Sequence, residues 1–174
     1  QVRIGTDVGV AIVEILRVIA KPGDKVLINS PVYQNFYNWL VETGMEKVDV
    51  PFTRTGSDEG SNNPWELNWP EIESAYASGI KVHMICSPHN PLGRIYTKEE
   101  LLRFVGLAKK YNVIIISDEI HAPLTFTTGK FIPFLTVSDT AREVGITVTS
   151  ASKSWNLAGL KCGFFYTQSE KLRE

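Results

Sequence analysis

The 174-residue sequence predicts an α/β fold: a three-layer sandwich with a mostly parallel sheet of about seven strands and helices on both faces. Two observations support it. Short β-branched or apolar runs alternate with segments whose apolar residues recur at helical spacing. Polar residues are concentrated just after several strands end, which is where sheets of this kind bind ligands. The length fits one domain, and an apolar share of 43% is enough for a core.

Strands are predicted where short β-branched or aromatic runs lie between turn signals. In chain order the runs are residues 2–4, 25–28, 47–52, 81–86, 113–116, 146–149 and 163–167. The run 113–116 is continuously apolar, which is typical of a strand covered on both faces. Pro51 makes 47–52 an outer strand, because proline is poorly tolerated in a central one. The last strand is expected to return antiparallel.

Helices are predicted from apolar periodicity and from capping residues. They are expected near residues 10–20, 33–43, 69–78, 97–111 and 138–144, with a turn at residues 6–10 before the first. Thr97 and Glu100 form a capping box. Asn68 caps the third helix, and Gly79 lies just past its end. Residues 53–68 are polar and rich in Gly, Ser and Asn, which predicts a surface excursion.

Composition excludes several kinds of partner. The net charge is −1 without a long run of one sign, which argues against nucleic acid or an anionic membrane. No run of about 18 apolar residues and no signal-peptide pattern is present, so a soluble, cytoplasmic protein is expected. Cys86 and Cys162 lack metal-ligand spacing and are expected to be reduced thiols. Three histidines are too few for an obvious metal site.

A candidate ligand site begins with Lys153, which follows the penultimate strand across a loop of small residues. Lysine is the side chain that forms Schiff bases, although a surface lysine is ordinarily only solvated. Ser150, Ser152 and Lys161 favour a site, because two hydroxyls and a second cation can hold a phosphate beside the amine. Gly9 lies at a helix start, where free N–H groups bind anions; tight helix packing is the alternative there.

Three further strand ends carry candidate residues. Asp118 follows a fully apolar strand, and an ionised acid is costly to bury unless it meets a positive partner. The alternative is an acid that caps the next turn. Two prolines and a glycine in the loop 87–93 hold Asn90 rigidly above the sheet. Tyr33 follows a strand end, where its ring can stack on a bound heteroaromatic. His121 lies three residues beyond Asp118.

Three segments resemble successive motifs of the fold-type-I pyridoxal-phosphate enzymes of the aminotransferase class I/II group: residues 87–93, 117–121 and 150–160. Their order and spacing match the family pattern. The forms Asp-Glu-Ile-His and Asn-Leu-Ala-Gly-Leu-Lys-Cys are most similar to the branch of cystathionine β-lyases and C–S lyases related to MalY and PatB. The resemblance extends over nearly the whole chain and implies the large-domain fold of the pyridoxal-phosphate transferases.

The resemblance implies a role for each candidate residue. Lys153 would form the Schiff base with pyridoxal 5′-phosphate and shuttle the α-proton, while Asp118 would pair with the pyridine nitrogen. Asn90 and His121 would contact the 3′-oxygen, and Tyr33 would stack on the ring. The phosphate would be held by the backbone amides of Gly9, Val10 and Ala11 and by the side chains of Ser150, Ser152 and Lys161.

Three functions are compatible with these motifs. The first is β-elimination from a cysteine-derived substrate such as cystathionine, and the second is transamination between an amino donor and a 2-oxo acid. The third is a non-catalytic regulatory domain of the same fold. The resemblance also implies a homodimer. Complete enzymes of this kind are longer, so residues 1–174 are expected to be the core of the cofactor-binding large domain. Without the N-terminal arm and the C-terminal small domain, the fragment is expected to be inactive alone.

Overall fold

The computed structural model describes residues 2–55 and 64–172, which form an α/β domain around a seven-stranded sheet. In chain order the strands are β1 (Val2–Gly5), β2 (Lys25–Ile28), β3 (Glu46–Asp49), β4 (Thr53–Arg54), β5 (Trp65–Glu66), β6 (Ile80–Cys86), β7 (Ile114–Asp118), β8 (Gly145–Thr149) and β9 (Gly163–Tyr166). β4 and β5 form a separate antiparallel ribbon at the two ends of the predicted surface excursion. Residues 56–63 of that excursion lie outside the described residues.

The main sheet has the strand order β1-β9-β8-β7-β6-β2-β3. β2, β3, β6, β7 and β8 pair in parallel, whereas β9 runs antiparallel to both β8 and β1. The predicted, mostly parallel sheet with an antiparallel last strand is therefore confirmed. β3 lies at the sheet edge, as Pro51 predicted.

Five helices cover the two faces of the sheet in the described residues. They are α1 (Val8–Ile19), α2 (Asn35–Thr43), α3 (Trp69–Ala77), α4 (Lys98–Tyr111) and α5 (Asp139–Val144). Ile12 of α1 and Phe36 of α2 belong to one buried cluster, while Ile72 of α3 and Phe104 of α4 belong to the other. Each of these side chains is fully buried, and burial of one such side chain stabilises the fold by roughly 1.5–3 kcal/mol.

The predicted helix caps are confirmed. The Glu100 amide donates to Thr97 Oγ1 over 3.2 Å, and the Thr97 amide donates to Glu100 Oε2 over 2.9 Å, which completes the capping box. Asn68 Oδ1 accepts from the Glu71 amide at the start of α3. Asn112 ends α4 in the left-handed region at φ 55°, a conformation that asparagine tolerates.

The start of α1 differs from the prediction. The helix begins at Val8, two residues earlier than expected, because Asp7 caps it. Asp7 Oδ1 accepts from the Val10 amide over 2.8 Å and so satisfies one of the unpaired donors of the first turn. Residues 8–10, predicted as a turn, therefore form the first helical turn, and Gly9 lies inside it.

A buried polar network ties α3 to the sheet. His83 on β6 is fully buried; its Nδ1 lies 2.8 Å from Tyr76 Oη and its Nε2 lies 2.7 Å from Asn29 Oδ1. The Asn29 amide nitrogen donates to the Val50 carbonyl, so Asn29 presents an acceptor and His83 carries its proton on Nε2. Burial lowers the pKa of His83 to about 3, which keeps the ring neutral.

We expect Tyr76→Phe to lower the free energy of unfolding by about 1–3 kcal/mol, because it leaves His83 Nδ1 buried without a donor. Tyr111→Phe is the matched control, since it removes a hydroxyl that contacts the surface residue Glu73 and is expected to cost about 0.5 kcal/mol or less. Urea unfolding at neutral pH measures both. Equal losses in the two variants would contradict the importance of the network.

Candidate active site

The carboxyl ends of the central parallel strands meet around one cavity of about 400 Å³. Eight of the eleven residues selected from the sequence line it: Gly9, Tyr33, Asn90, Asp118, His121, Ser152, Lys153 and Lys161. They come from six places in the fold, namely the first turn of α1, the segments that follow β2, β6, β7 and β8, and the loop before β9. Strand order brings these segments together, because ligand groups in such sheets gather where neighbouring strands end.

Val10, Ala11 and Ser150 do not line the cavity. The Val10 amide donates to Asp7 Oδ1, and the Ala11 amide donates to the Asp7 carbonyl over 3.0 Å as part of α1. Ala11 is also buried. Both amides are therefore engaged at the helix start, and the phosphate contacts assigned to these two residues stay predictions.

Asp118 is the buried acid of the cavity. It is the last residue of β7, only 4% exposed, and it lies beside Cys86 of β6 in the sheet register. Its Oδ1 accepts from the Ile120 amide over 3.1 Å. Burial raises the pKa of Asp118 to about 6, against the lowering effects of the Ile120 amide and of the Lys153 charge. A carboxylate in this position gains from any cation that enters the cavity.

Lys153 lies on a turn after β8, exposed to the cavity, and Ser150 holds that turn from behind. Ser150 Oγ donates to the Cys162 carbonyl over 2.7 Å and accepts from the Ser152 amide over 3.0 Å. It also lies 2.6 Å from Ser152 Oγ. Because the Ser150 proton is already given to Cys162, the Ser152 hydroxyl is the donor of this short bond. Ser150 therefore supports the lysine loop in the structure, and its predicted phosphate contact stays a prediction.

Tyr33 stands at the cavity wall on the segment between β2 and α2. Its hydroxyl accepts from Asn35 Nδ2 over 2.8 Å, and Asn35 Oδ1 accepts in turn from Asn38 Nδ2 over 3.0 Å. The Trp39 ring meets the Tyr33 ring edge-on, with 6.2 Å between centroids. The asparagine pair leaves the Tyr33 hydroxyl proton free to point into the cavity, and 40% exposure leaves the ring available for stacking.

Asn90 and His121 both line this cavity and also a second, neighbouring one. The Asn90 amide donates to Cys86 Sγ over 3.3 Å, which ties its loop to the end of β6. The loop turns at Gly93, whose φ of 65° is the left-handed conformation that glycine adopts without strain. Partial burial, followed by the charge of Lys153, lowers the pKa of His121 and so favours a neutral imidazole at neutral pH.

Another part of the cavity wall combines the start of α1 with Lys161. Lys161 Nζ lies 3.2 Å from Asp7 Oδ2. Gly163 permits the close approach of β9 to Asp7, since a Cβ there would stand 2.8 Å from the Asp7 carbonyl carbon.

Several wall residues were not predicted from the sequence: Asp7, Val8, Asn35, Trp39, Cys86, Ile120 and Ala158. For Asp7 a signal did exist, because an acid directly before an apolar helix is a common N-cap.

The residues present fit the pyridoxal phosphate that the sequence resemblance implies. A flat ring can stack on Tyr33, a protonated ring nitrogen would offset the burial of Asp118, and Lys153 offers an amine to an aldehyde.

Within residues 2–55 and 64–172, no group of three or more histidine, cysteine or acidic side chains is arranged to hold a metal ion. In the same residues no helix is long and apolar enough to cross a membrane.

Comparison with known proteins finds similar sequences and a similar crystal structure. The chain is 35% identical over 150 residues to a cystathionine beta-lyase of Corynebacterium glutamicum, covering 86% of this chain and 37% of that protein. It is 31% identical over 148 residues to kynurenine–oxoglutarate transaminase 3 of Rattus norvegicus, covering 84% and 32% respectively. The crystal structure of a pyridoxal-phosphate-bound C–S lyase from Staphylococcus hominis matches with a TM-score of 0.89 at 27% identity, covering 98% of this chain and 43% of that one.

The chain thus spans less than half the length of the relatives it matches. The family model described as aminotransferase class I and II matches residues 1–174, the entire sequence. The chain belongs to the aminotransferase class I and II family.

Proposed function

We propose that the protein is a pyridoxal-phosphate-dependent carbon–sulfur lyase that acts on cystathionine or a related cysteine-derived amino acid. The observation that carries this proposal is that Lys153 and the buried Asp118 line one cavity with Tyr33. The 35% identity to a cystathionine beta-lyase supports the choice of substrate class. The activity belongs to the whole protein, of which these residues supply the cofactor site.

Different cavity residues would contact different parts of the cofactor. When bound, pyridoxal phosphate supplies an aldehyde for the substrate amine and a ring that accepts electrons. The Asp118 carboxylate keeps a proton on the ring nitrogen, because a cation beside it offsets the cost of its burial. Tyr33 offers its ring as a stacking surface, and Asn90 and the neutral His121 bind the ring oxygen.

Lys153 moves the proton on which the chemistry depends. Its Nζ removes the proton from the α-carbon of the substrate, acting as a general base. The bond between Cβ and sulfur then breaks, and sulfur leaves with the bonding electron pair and takes up a proton as a thiol. With one water, cystathionine becomes homocysteine, pyruvate and ammonia. The hydrogen bonds of Ser150 hold the turn that carries Lys153, which supports this role.

Transamination is the second candidate, and the 31% identity to a kynurenine–oxoglutarate transaminase favours it. The first step is the same, since Lys153 removes the same proton. The reactions differ in whether a β-substituent leaves or the proton is returned to another carbon. The wall residues described above serve both reactions equally.

Full-length protein supplied with cystathionine is expected to release pyruvate and thiol in equal amounts. With an amino donor and a 2-oxo acid, it is expected to form new amino acid much more slowly. Lys153→Ala should abolish both activities, because it removes the base. Pyruvate release is followed by a coupled assay, and amino acids are followed by chromatography. Faster amino transfer than thiol release would instead support the transaminase.

Pyridoxal phosphate followed by borohydride is expected to label one peptide of the 174-residue chain, the one that contains Lys153. Lys153→Ala should abolish the label, whereas Lys98→Ala, an exposed lysine at the start of α4, should retain it. Peptide mapping by mass spectrometry reports the site. Equal labelling of several surface lysines would count against a specific cofactor site.

Asp118→Asn is expected to stabilise the cofactor-free chain by roughly 1–3 kcal/mol above pH 6. The folded-state pKa of Asp118 is raised from 3.8 to about 6, so the wild-type chain loses stability as pH rises through that window. The gain should shrink as pH falls from 6 toward 4. The same substitution should weaken pyridoxal phosphate binding at least about tenfold, since it removes the partner of the ring nitrogen.

Asp139→Asn is the matched control, because Asp139 is an exposed acid of α5 that does not line the cavity. It should change neither the pH dependence of unfolding nor cofactor binding. Thermal unfolding across pH 4–8 and absorbance titration are the two measurements. A loss of stability in Asp118→Asn at pH 8 would show that the carboxylate is already well compensated in the free protein.

A further inference from the structure

The end of the cavity assigned to the cofactor phosphate already contains an anion. Asp7 and Lys161 both line the cavity, and the Asp7 carboxylate uses each of its oxygens there. Oδ1 accepts from the Val10 amide over 2.8 Å, and Oδ2 lies 3.2 Å from Lys161 Nζ. A helix-start amide and a lysine are the donors that a bound phosphate uses. Asp7 thus engages the same groups that a phosphate would need.

Capping alone does not require an acid at this position. Three other helices of the described chain are capped by the side chains of neutral residues: Asn68, Thr97 and Ser138. Asp7 also contacts a cation 154 residues away in sequence, across the cavity wall. The Val10 hydrogen bond, opposed by partial burial and aided by Lys161, lowers the pKa of Asp7, so the group is a carboxylate at neutral pH.

The backbone of Asp7 is closely packed against β9. Gly163 at the start of β9 lies against the backbone of Asp7, where an added Cβ would stand 2.8 Å from its carbonyl carbon. An added Cβ at Gly9 would lie 3.3 Å from Asp7 Oδ1 and 3.2 Å from the Trp39 ring. β9 therefore lies on one side of Asp7 and the first turn of α1 on the other, at the cavity wall.

We propose that Asp7 competes with the cofactor phosphate for Lys161 and the start of α1, and so weakens discrimination between pyridoxal phosphate and unphosphorylated pyridoxal. The inference rests on the proposed function, since it concerns the cofactor of that cavity. Two anions that share one lysine repel each other, and this cost falls only on the phosphorylated ligand. Asp7 is 33% exposed at its side chain, so solvent screens the repulsion and limits its size.

The test compares two ligands on three proteins at fixed ionic strength. Pyridoxal phosphate and pyridoxal are titrated by absorbance into wild type, Asp7→Asn and Asp139→Asn. Asparagine caps helices as well as aspartate, so Asp7→Asn removes charge and keeps the cap. We expect about tenfold tighter binding of pyridoxal phosphate and less than about twofold change for pyridoxal. Asp139→Asn, which removes the same charge elsewhere, should change neither.

An equal change for both ligands, or none for pyridoxal phosphate, would overturn the inference. A thermal-shift titration with inorganic phosphate provides a readout without the aldehyde, and Asp7→Asn should be stabilised at lower phosphate concentrations than wild type. Absence of a Lys153 adduct together with this phosphate difference would reject the proposed function but keep the competition at Asp7. Failure of the phosphate difference while the adduct forms would reject the competition alone.

Discussion

A carboxylate buried at the end of a central strand is the constraint on which this structure depends. Asp118 ends β7 after three isoleucines and Ser117, and it lies between β6 and β8, so neither solvent nor a neighbouring strand supplies a charge to it. The Ile120 amide donates one hydrogen bond, and Lys153 contributes a favourable charge. These do not offset the desolvation, and the pKa of the acid stays near 6. A cationic group beside Asp118 would therefore offset the cost of its burial.

Lys153 is positioned in a different way from Asp118. Lys153 is exposed on a turn, and its position is determined by hydrogen bonds of the loop and not by burial of its own side chain. Ser150 joins that turn to the Cys162 carbonyl at the approach to β9. The antiparallel return of β9 thus helps to place the lysine beside the parallel strands. Loop residues held by a rigid sheet are a common way to position catalytic groups.

Two parts of the cavity wall differ in electrostatic character. In one part, the charge of Lys153 acts on both the buried Asp118 and the neutral His121. In the other part, Lys161 is already paired with Asp7, so these two charges largely cancel. This difference follows from one acid at a helix start, a position that capping preferences fill readily.

Local sequence determined the main elements of this protein and most of the candidate residues that line the cavity. The apolar run before Asp118, the capping box at Thr97 and the small-residue loop before Lys153 each signal their structure within a few residues, because periodicity and capping are local effects. Asn90 and Tyr33 were found in the same way, from strand ends. The start of α1 was misplaced because Asp7 was not recognised as its cap.

Only the tertiary structure decided which groups meet. The contact between Asp7 and Lys161 spans 154 residues. The hydrogen bond from Ser150 to the Cys162 carbonyl forms only because β9 returns beside β8. The neutral state of His83 results from burial between α3 and the sheet, which no local pattern encodes. Desolvation and long-range pairing arise from packing, so a sequence read segment by segment cannot supply them.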